Sequence, residues 1–61
     1  MTKKVYYIEN TNENYAIIEN IVEVYICFVQ LTTVEMNCLE VTIICRNEDV
    51  KAIEEELKDI V

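Results

Sequence analysis

The sequence predicts a small α+β domain with the order βαββα, in which a three-stranded antiparallel or mixed sheet carries both helices on one face. Residues 21–31 are apolar on both faces of an extended chain, which is typical of a central strand. Two other segments show helical spacing of apolar residues. We expect all 61 residues to form one domain (1–61). A chain this short buries only about 60% of its unfolded surface and usually needs a stabilising partner, metal or disulfide.

The first strand is predicted over residues 3–9, where strand-favouring residues follow two lysines. The polar residues 10–12 can bond nearby backbone, which marks a turn and a helix N-cap. Residues 12–22 then place acidic and apolar side chains on opposite arcs, with Asn14 as the exception, and this predicts the first helix. An alternative extends the central strand back to Tyr15, because β-branched residues are poor helix formers.

Beyond the central strand, the chain is expected to reverse at Thr32 and Thr33. A third strand is predicted over residues 34–45, with a bulge or break near residues 37–39, because even-numbered apolar residues give way there to odd-numbered ones. A second helix is predicted to start at an N-cap, Asn47. The apolar stripe of this helix is Val50, Ile53, Leu57 and Ile60.

Helices on one side of the sheet would leave the other face of the central strand bare. The predicted residues of that face are Val22, Val24, Ile26 and Phe28. Four apolar side chains in a row do not favour contact with water, so we expect this face to be the interface of a homodimer.

The cysteines indicate a reducing compartment. Cys27, Cys38 and Cys45 are odd in number and follow no leading signal sequence, so we expect free, buried, unreactive thiols in the cytoplasm. Neither a His nor a CxxC spacing occurs, and we expect no metal site. The longest uninterrupted apolar segment is residues 24–29, whereas a spanning helix needs roughly 20 residues, so a soluble protein is expected.

Enzymatic activity is not expected from this composition. The chain has no His and no Ser to move protons or attack a substrate, and cysteines within apolar segments lack an activating base. It also has no Gly, which excludes phosphate-binding glycine loops. No catalytic residue and no cofactor is predicted.

Charge is the most informative feature that remains. Twelve acidic residues and five basic ones give a net charge of −7, and no basic residue lies between Lys4 and Arg46. The acids fall on one arc of each predicted helix, opposite the apolar stripe, with the lysines of the second helix on a flank. The first helix contributes Glu13, Glu19 and Glu23; the second contributes Glu48, Asp49, Glu55, Glu56 and Asp59.

These acids have two interpretations. They can simply keep a small protein soluble. Alternatively, their negative field attracts a basic protein that ordinarily binds nucleic acid, since grouped carboxylates repel one another at a cost to stability. Direct binding to nucleic acid is not expected of a chain with a charge of −7. A different hypothesis assigns the chain to an assembly module that acts through its apolar sheet face and an edge strand.

With these two acidic arcs and no catalytic residues, the chain resembles, at the level of a class, the small acidic phage proteins that inhibit host machinery by imitating DNA. The resemblance implies an inhibitor in the host cytoplasm, directed at targets such as nucleoid proteins, polymerase or a glycosylase. The second helix spreads five acids over roughly 16 Å, about half the charge density of duplex DNA. A two-fold dimer would double the acidic surface.

Overall fold

The computed structural model describes every residue from Met1 to Val61. The elements are β1 (Thr2–Glu9), α1 (Asn12–Val24), β2 (Cys27–Glu35), β3 (Cys38–Cys45), a 3₁₀ turn (Asn47–Asp49) and α2 (Val50–Leu57). The three strands form an antiparallel sheet in the order β1-β3-β2. The predicted α+β class and the βαββα order are confirmed.

The central strand is β3, and the prediction that residues 21–31 form it was wrong. The inward residues of β3, Leu39, Val41, Ile43 and Cys45, are all buried, since β3 alone has a strand on each side. Residues 21–31 contain the last turn of α1, a short connection and the start of β2, which is an edge strand. The two apolar faces predicted from the sequence therefore belong to a helix end and to a half-exposed strand.

Both helices pack on the same face of the sheet. Ile18 and Ile21 of α1 and Ile53 and Leu57 of α2 join the inward residues of the strands in one buried cluster. The opposite face of the sheet has no helix over it. The prediction of two helices on one face is thus confirmed, and a bare face does exist.

The start of α1 is fixed to the end of β1. Thr11 is the N-cap, and its hydroxyl accepts a hydrogen bond from the Asn14 backbone N–H at 3.2 Å. The Asn14 side chain is buried, and its amide donates to the Glu9 carbonyl at 2.8 Å. This bond explains how an amide is tolerated on the apolar arc of the helix, because it gives the buried Asn14 side chain a backbone acceptor.

The chain reverses at Met36 and Asn37, four residues after the predicted position. Thr32 and Thr33 belong to β2, and the irregularity of strand register lies in β2 between Thr33 and Glu35. The change of parity in the sequence therefore marks a turn between two strands, not a bulge within one. The Asn37 carbonyl accepts a hydrogen bond from the Asn10 N–H at 2.8 Å, which holds this turn against the loop after β1.

The second helix forms as predicted but starts differently. Asn47 makes no cap; its side-chain oxygen instead accepts a hydrogen bond from the Thr2 hydroxyl at 2.5 Å. The first turn is 3₁₀, and the α-helical part begins at Val50. Ile60 lies beyond the helix and still packs partly buried against the core.

Candidate functional site

The acids of α2 and its 3₁₀ turn are partly neutralised. Asp49 accepts a hydrogen bond from Arg46 Nε at 2.9 Å, and Glu55 Oε1 lies 2.6 Å from Lys58 Nζ. The helical arc predicted that Glu55 would lie apart from the lysines. In the structure it forms an ion pair with Lys58 instead. The exposed Glu55–Lys58 pair contributes little to stability, but each of the two pairs cancels one charge of the arc. Glu48 and Asp59 are exposed and form no ion pair.

The acids of α1 have no such partners. Glu13, Glu19 and Glu23 are all exposed, and none of them forms an ion pair or a side-chain hydrogen bond. Glu19 and Glu23 lie one turn apart, where like charges repel. We call these three residues the α1 acidic face. No charge on the helix itself offsets them, because α1 contains no basic residue.

Glu56 links the two helices. Its Oε1 accepts a hydrogen bond from the Asn20 side-chain amide of α1 at 3.1 Å. A carboxylate predicted to meet a partner therefore has a contact within the protein. Its negative charge remains, since an amide does not neutralise it, and lies close to α1.

Glu54 joins α2 to β1. Its Oε2 accepts a hydrogen bond from the Tyr6 hydroxyl at 3.3 Å and lies 3.7 Å from Lys4 Nζ. Burial, followed by the neighbouring Glu54 carboxylate, raises the pKa of Tyr6 to about 12. This acid therefore holds α2 on the sheet rather than facing a partner.

Alkaline pH is expected to destabilise the fold through Tyr6. Folding raises the pKa of this phenol from about 10 to about 12, so the native state favours the protonated, neutral Tyr6. The stability contributed by the neutral phenol is complete below pH 10 and is lost as the pH rises through 12. Urea unfolding across this range should show a steeper loss of stability in the parent than in Tyr6→Phe. Parallel curves for the two proteins would contradict the assignment.

A shallow groove of about 310 Å³ lies between α1 and β2. Its apolar lining comes from Ile18 and Val22 of α1 and from Val29 and Leu31 of β2. Glu19 and Glu23 also line it. The groove therefore combines an apolar floor with two carboxylates of the α1 acidic face.

The four residues of the predicted dimer interface do not share one strand face. Val22 and Val24 lie on α1, Ile26 lies in the connection to β2, and Phe28 alone lies on the bare sheet face. The reason is that the helix continues to Val24, so a helical turn replaces the expected extended chain. All four are nevertheless exposed, and Phe28 is 73% exposed.

The bare sheet face is partly apolar. Phe28 pairs with Ile44 of β3, and the exposed Val5 and Tyr7 of β1 lie on the same face. The Tyr7 hydroxyl donates to Glu40 of β3 at 2.9 Å, which covers part of the face with a polar contact.

All three cysteines are free, but only Cys45 is buried. Cys27 and Cys38 are half-buried, so the expectation of three buried thiols was too broad. Cys27 lies directly opposite Cys45 in the β2–β3 register, and burial raises the pKa of the Cys27 thiol. No three acidic or cysteine side chains lie close enough together to hold a metal ion.

A thiol reagent is expected to distinguish the cysteines. Cys45 should react only after unfolding, and Cys27 should react more slowly than a free thiol because its raised pKa lowers the fraction of thiolate. Time-resolved labelling followed by peptide mass spectrometry measures both rates. Labelling of Cys45 in the native state as fast as in urea would contradict its burial.

The groove and the free edge of β2 are not predicted by the sequence. The residues of the groove wall are visible as neighbours on a predicted helix, but nothing in the sequence states which strand this helix covers.

No helix of the structure is long and apolar enough to span a membrane. No family model matches the chain, and no curated protein or solved structure shows significant similarity to it.

Proposed function

We propose that this protein binds and sequesters a basic, nucleic-acid-binding protein through the α1 acidic face. The observation that carries the proposal is that α1 has three exposed glutamates, Glu13, Glu19 and Glu23, with no ion pair and no basic residue on the helix, whereas lysines pair with Glu54 and Glu55 of α2. Three uncompensated carboxylates on one helix repel one another, and a cationic partner relieves that repulsion.

The remaining acids extend the attraction beyond α1. Glu56 lies beside α1 through its bond to Asn20, and Glu48 and Asp59 are exposed on the neighbouring helix and its ends. With a net charge of −7, the whole chain accelerates encounter with a positive surface, and the unpaired acids determine the orientation. The same charge repels phosphate, so the partner is a protein and not the nucleic acid.

The chain would inhibit its partner by occupying the surface that binds nucleic acid. Glu23 follows Glu13 by ten residues of helix, about 15 Å, so the α1 acidic face matches a short stretch of phosphate backbone rather than a whole duplex. Such a protein would act in the cytoplasm, where basic nucleic-acid-binding proteins are found, as expected for a phage-encoded inhibitor.

Competition with DNA tests this function. The chain is mixed at low salt with purified candidates of the expected kind, namely a bacterial nucleoid protein, RNA polymerase and a DNA glycosylase. We expect a complex with at least one of them, and we expect duplex DNA to displace the chain from it. A complex in which the partner holds DNA and this chain together would contradict DNA imitation, and failure to bind any candidate would contradict the proposal.

A second candidate function is that of an assembly module. The observation that favours it is the apolar content of the bare sheet face, where Phe28 is 73% exposed and Val5 is 46% exposed. Burying these side chains against a second copy would remove them from water. This face lies opposite the helices, so a dimer formed there leaves the α1 acidic face free in both copies.

We predict a homodimer that buries the bare sheet face, because exposed aromatic and aliphatic side chains there have no partner within the chain. Sedimentation equilibrium at micromolar concentration measures the mass. Phe28→Lys should convert the dimer to a monomer, whereas Val24→Lys, a change at an exposed apolar position on α1, should leave the mass unchanged. A monodisperse parent monomer would contradict the prediction.

A further inference from the structure

We propose that the groove beside β2 binds an extended segment of the basic partner, which adds to the sheet as a fourth strand next to β2. This inference rests on the proposed function and specifies how the partner is bound. It joins three features that lie side by side: the free edge of β2, the apolar floor of the groove, and the carboxylates of Glu19 and Glu23.

The free edge of β2 has hydrogen-bonding capacity that the chain does not use. In the order β1-β3-β2, β2 pairs with β3 on one side only, and none of the turn, loop and cap hydrogen bonds reaches its other side. Every second residue of an edge strand directs its N–H and C=O groups outward. An extended peptide is the ligand that satisfies such a row of groups.

The edge of β1 is protected, in contrast. It carries Lys3 and Lys4, and lysines on an edge strand oppose the addition of another strand. Lys4 is also held close to Glu54 of α2. β2 carries a charge only at its last residue, Glu35. The sheet is therefore open on one side only.

The side chains of the groove are suited to Lys or Arg in particular. The long stems of these residues cover apolar surface while their charged ends remain in polar surroundings. Here Val22, Val29 and Leu31 supply the apolar surface, and Glu19 and Glu23 supply the counter-charges. Glu19 and Glu23 lie one helical turn apart, about 6 Å, and alternate residues of a strand lie about 6.8 Å apart. Two basic residues at positions i and i+2 of the added strand can thus each meet one carboxylate.

A second copy of this chain is a poorer occupant of the same edge. Two-fold pairing of β2 with its copy would place both α1 helices on one face of the extended sheet. Glu19 and Glu23 would then meet the same residues of the other copy, which brings like charges together without a cation between them. The charge of the groove therefore favours a basic segment over self-association.

The test uses two short synthetic peptides in which arginine alternates with threonine. One has an ordinary backbone, and the other carries an N-methyl group on every amide, so that it keeps the charge but neither of its edges can pair with a strand. Isotope-labelled protein is titrated with each peptide. We expect the ordinary peptide to slow hydrogen exchange of the outward β2 amides by at least about tenfold and to bind at least about tenfold more tightly than the methylated one.

Two neutralised variants locate the charge contacts. The variant that combines Glu19→Gln with Glu23→Gln should bind the ordinary peptide about tenfold more weakly. The matched control combines Glu55→Gln with Asp59→Asn, which has the same spacing and the same change of charge. This control should weaken binding by less than about twofold. Circular dichroism confirms that both variants are folded.

Three results would overturn the proposal: equal affinity for both peptides, unchanged exchange of the β2 amides, or no binding of the ordinary peptide. If a basic protein is nevertheless captured and displaced by DNA, only the strand addition is wrong. If no basic protein is captured either, the result contradicts the proposed function as well as the strand addition.

Discussion

Replacing Ile21 with alanine is expected to lower the free energy of unfolding by about 2 to 5 kcal/mol, because the side chain is fully buried and little can move to fill the space. A domain of this length has a total stability of about 3 to 9 kcal/mol. The variant should therefore lose a large share of its stability and unfold at a much lower urea concentration than the parent. Urea unfolding followed by circular dichroism measures the change.

Val22→Ala is the matched control, since Val22 is the next residue and is 48% exposed. Its effect should stay within about 0.5 kcal/mol, because the better helix propensity of alanine offsets the weaker packing of a half-exposed side chain. The contrast tests the phase of α1. Equal decreases in stability at the two positions would contradict the helix and would favour a strand with both faces covered.

Reversing the charges of the α1 acidic face is expected to weaken binding of a basic partner by about tenfold to a hundredfold. The variant replaces Glu13, Glu19 and Glu23 with lysine, so each attraction is removed and a repulsion takes its place. Fluorescence anisotropy with the labelled partner at low salt measures the dissociation constant. The fold should be retained, because all three side chains are exposed and without partners.

The matched control replaces Glu48, Glu55 and Asp59 with lysine and changes the net charge by the same amount. The affinity of this variant should fall by less than about fivefold, since only the general attraction is reduced. Equal decreases in the two variants would mean that total charge alone drives binding. A larger decrease in affinity in the control would indicate that the partner binds the acids of α2 and its ends instead of the α1 acidic face.

The spacing of apolar residues in the sequence was sufficient to predict the helices, but it did not predict the order of the strands in the sheet. Ile18 and Ile21 lie on the same side of a helix three residues apart, and Ile53 and Leu57 four residues apart, so both core stripes were visible. Whether a strand is central depends on its neighbours. The more apolar start of β2 lies at an edge, whereas β3, which contains a glutamate and a threonine, lies in the middle.

The candidate site shows the same division between local and tertiary information. The acids of both helices were correctly placed on exposed arcs, with Asp49 and Glu56 as the partly buried members. The contacts of Asp49 with Arg46 and of Glu55 with Lys58 join residues three apart, which sequence spacing can show. The groove requires α1 to lie over β2, and that packing depends on the tertiary fold.

Salt dependence of binding is the most direct test of the central claim, that uncompensated carboxylates of α1 hold a basic partner. The dissociation constant of the parent is measured from low to high ionic strength beside that of the variant with Glu13, Glu19 and Glu23 reversed. We predict that the parent's affinity falls steeply as salt screens the charges, and that the variant is weak at low salt and nearly insensitive to further salt. A parent affinity that does not change with salt would contradict the claim and would assign binding to the apolar sheet face.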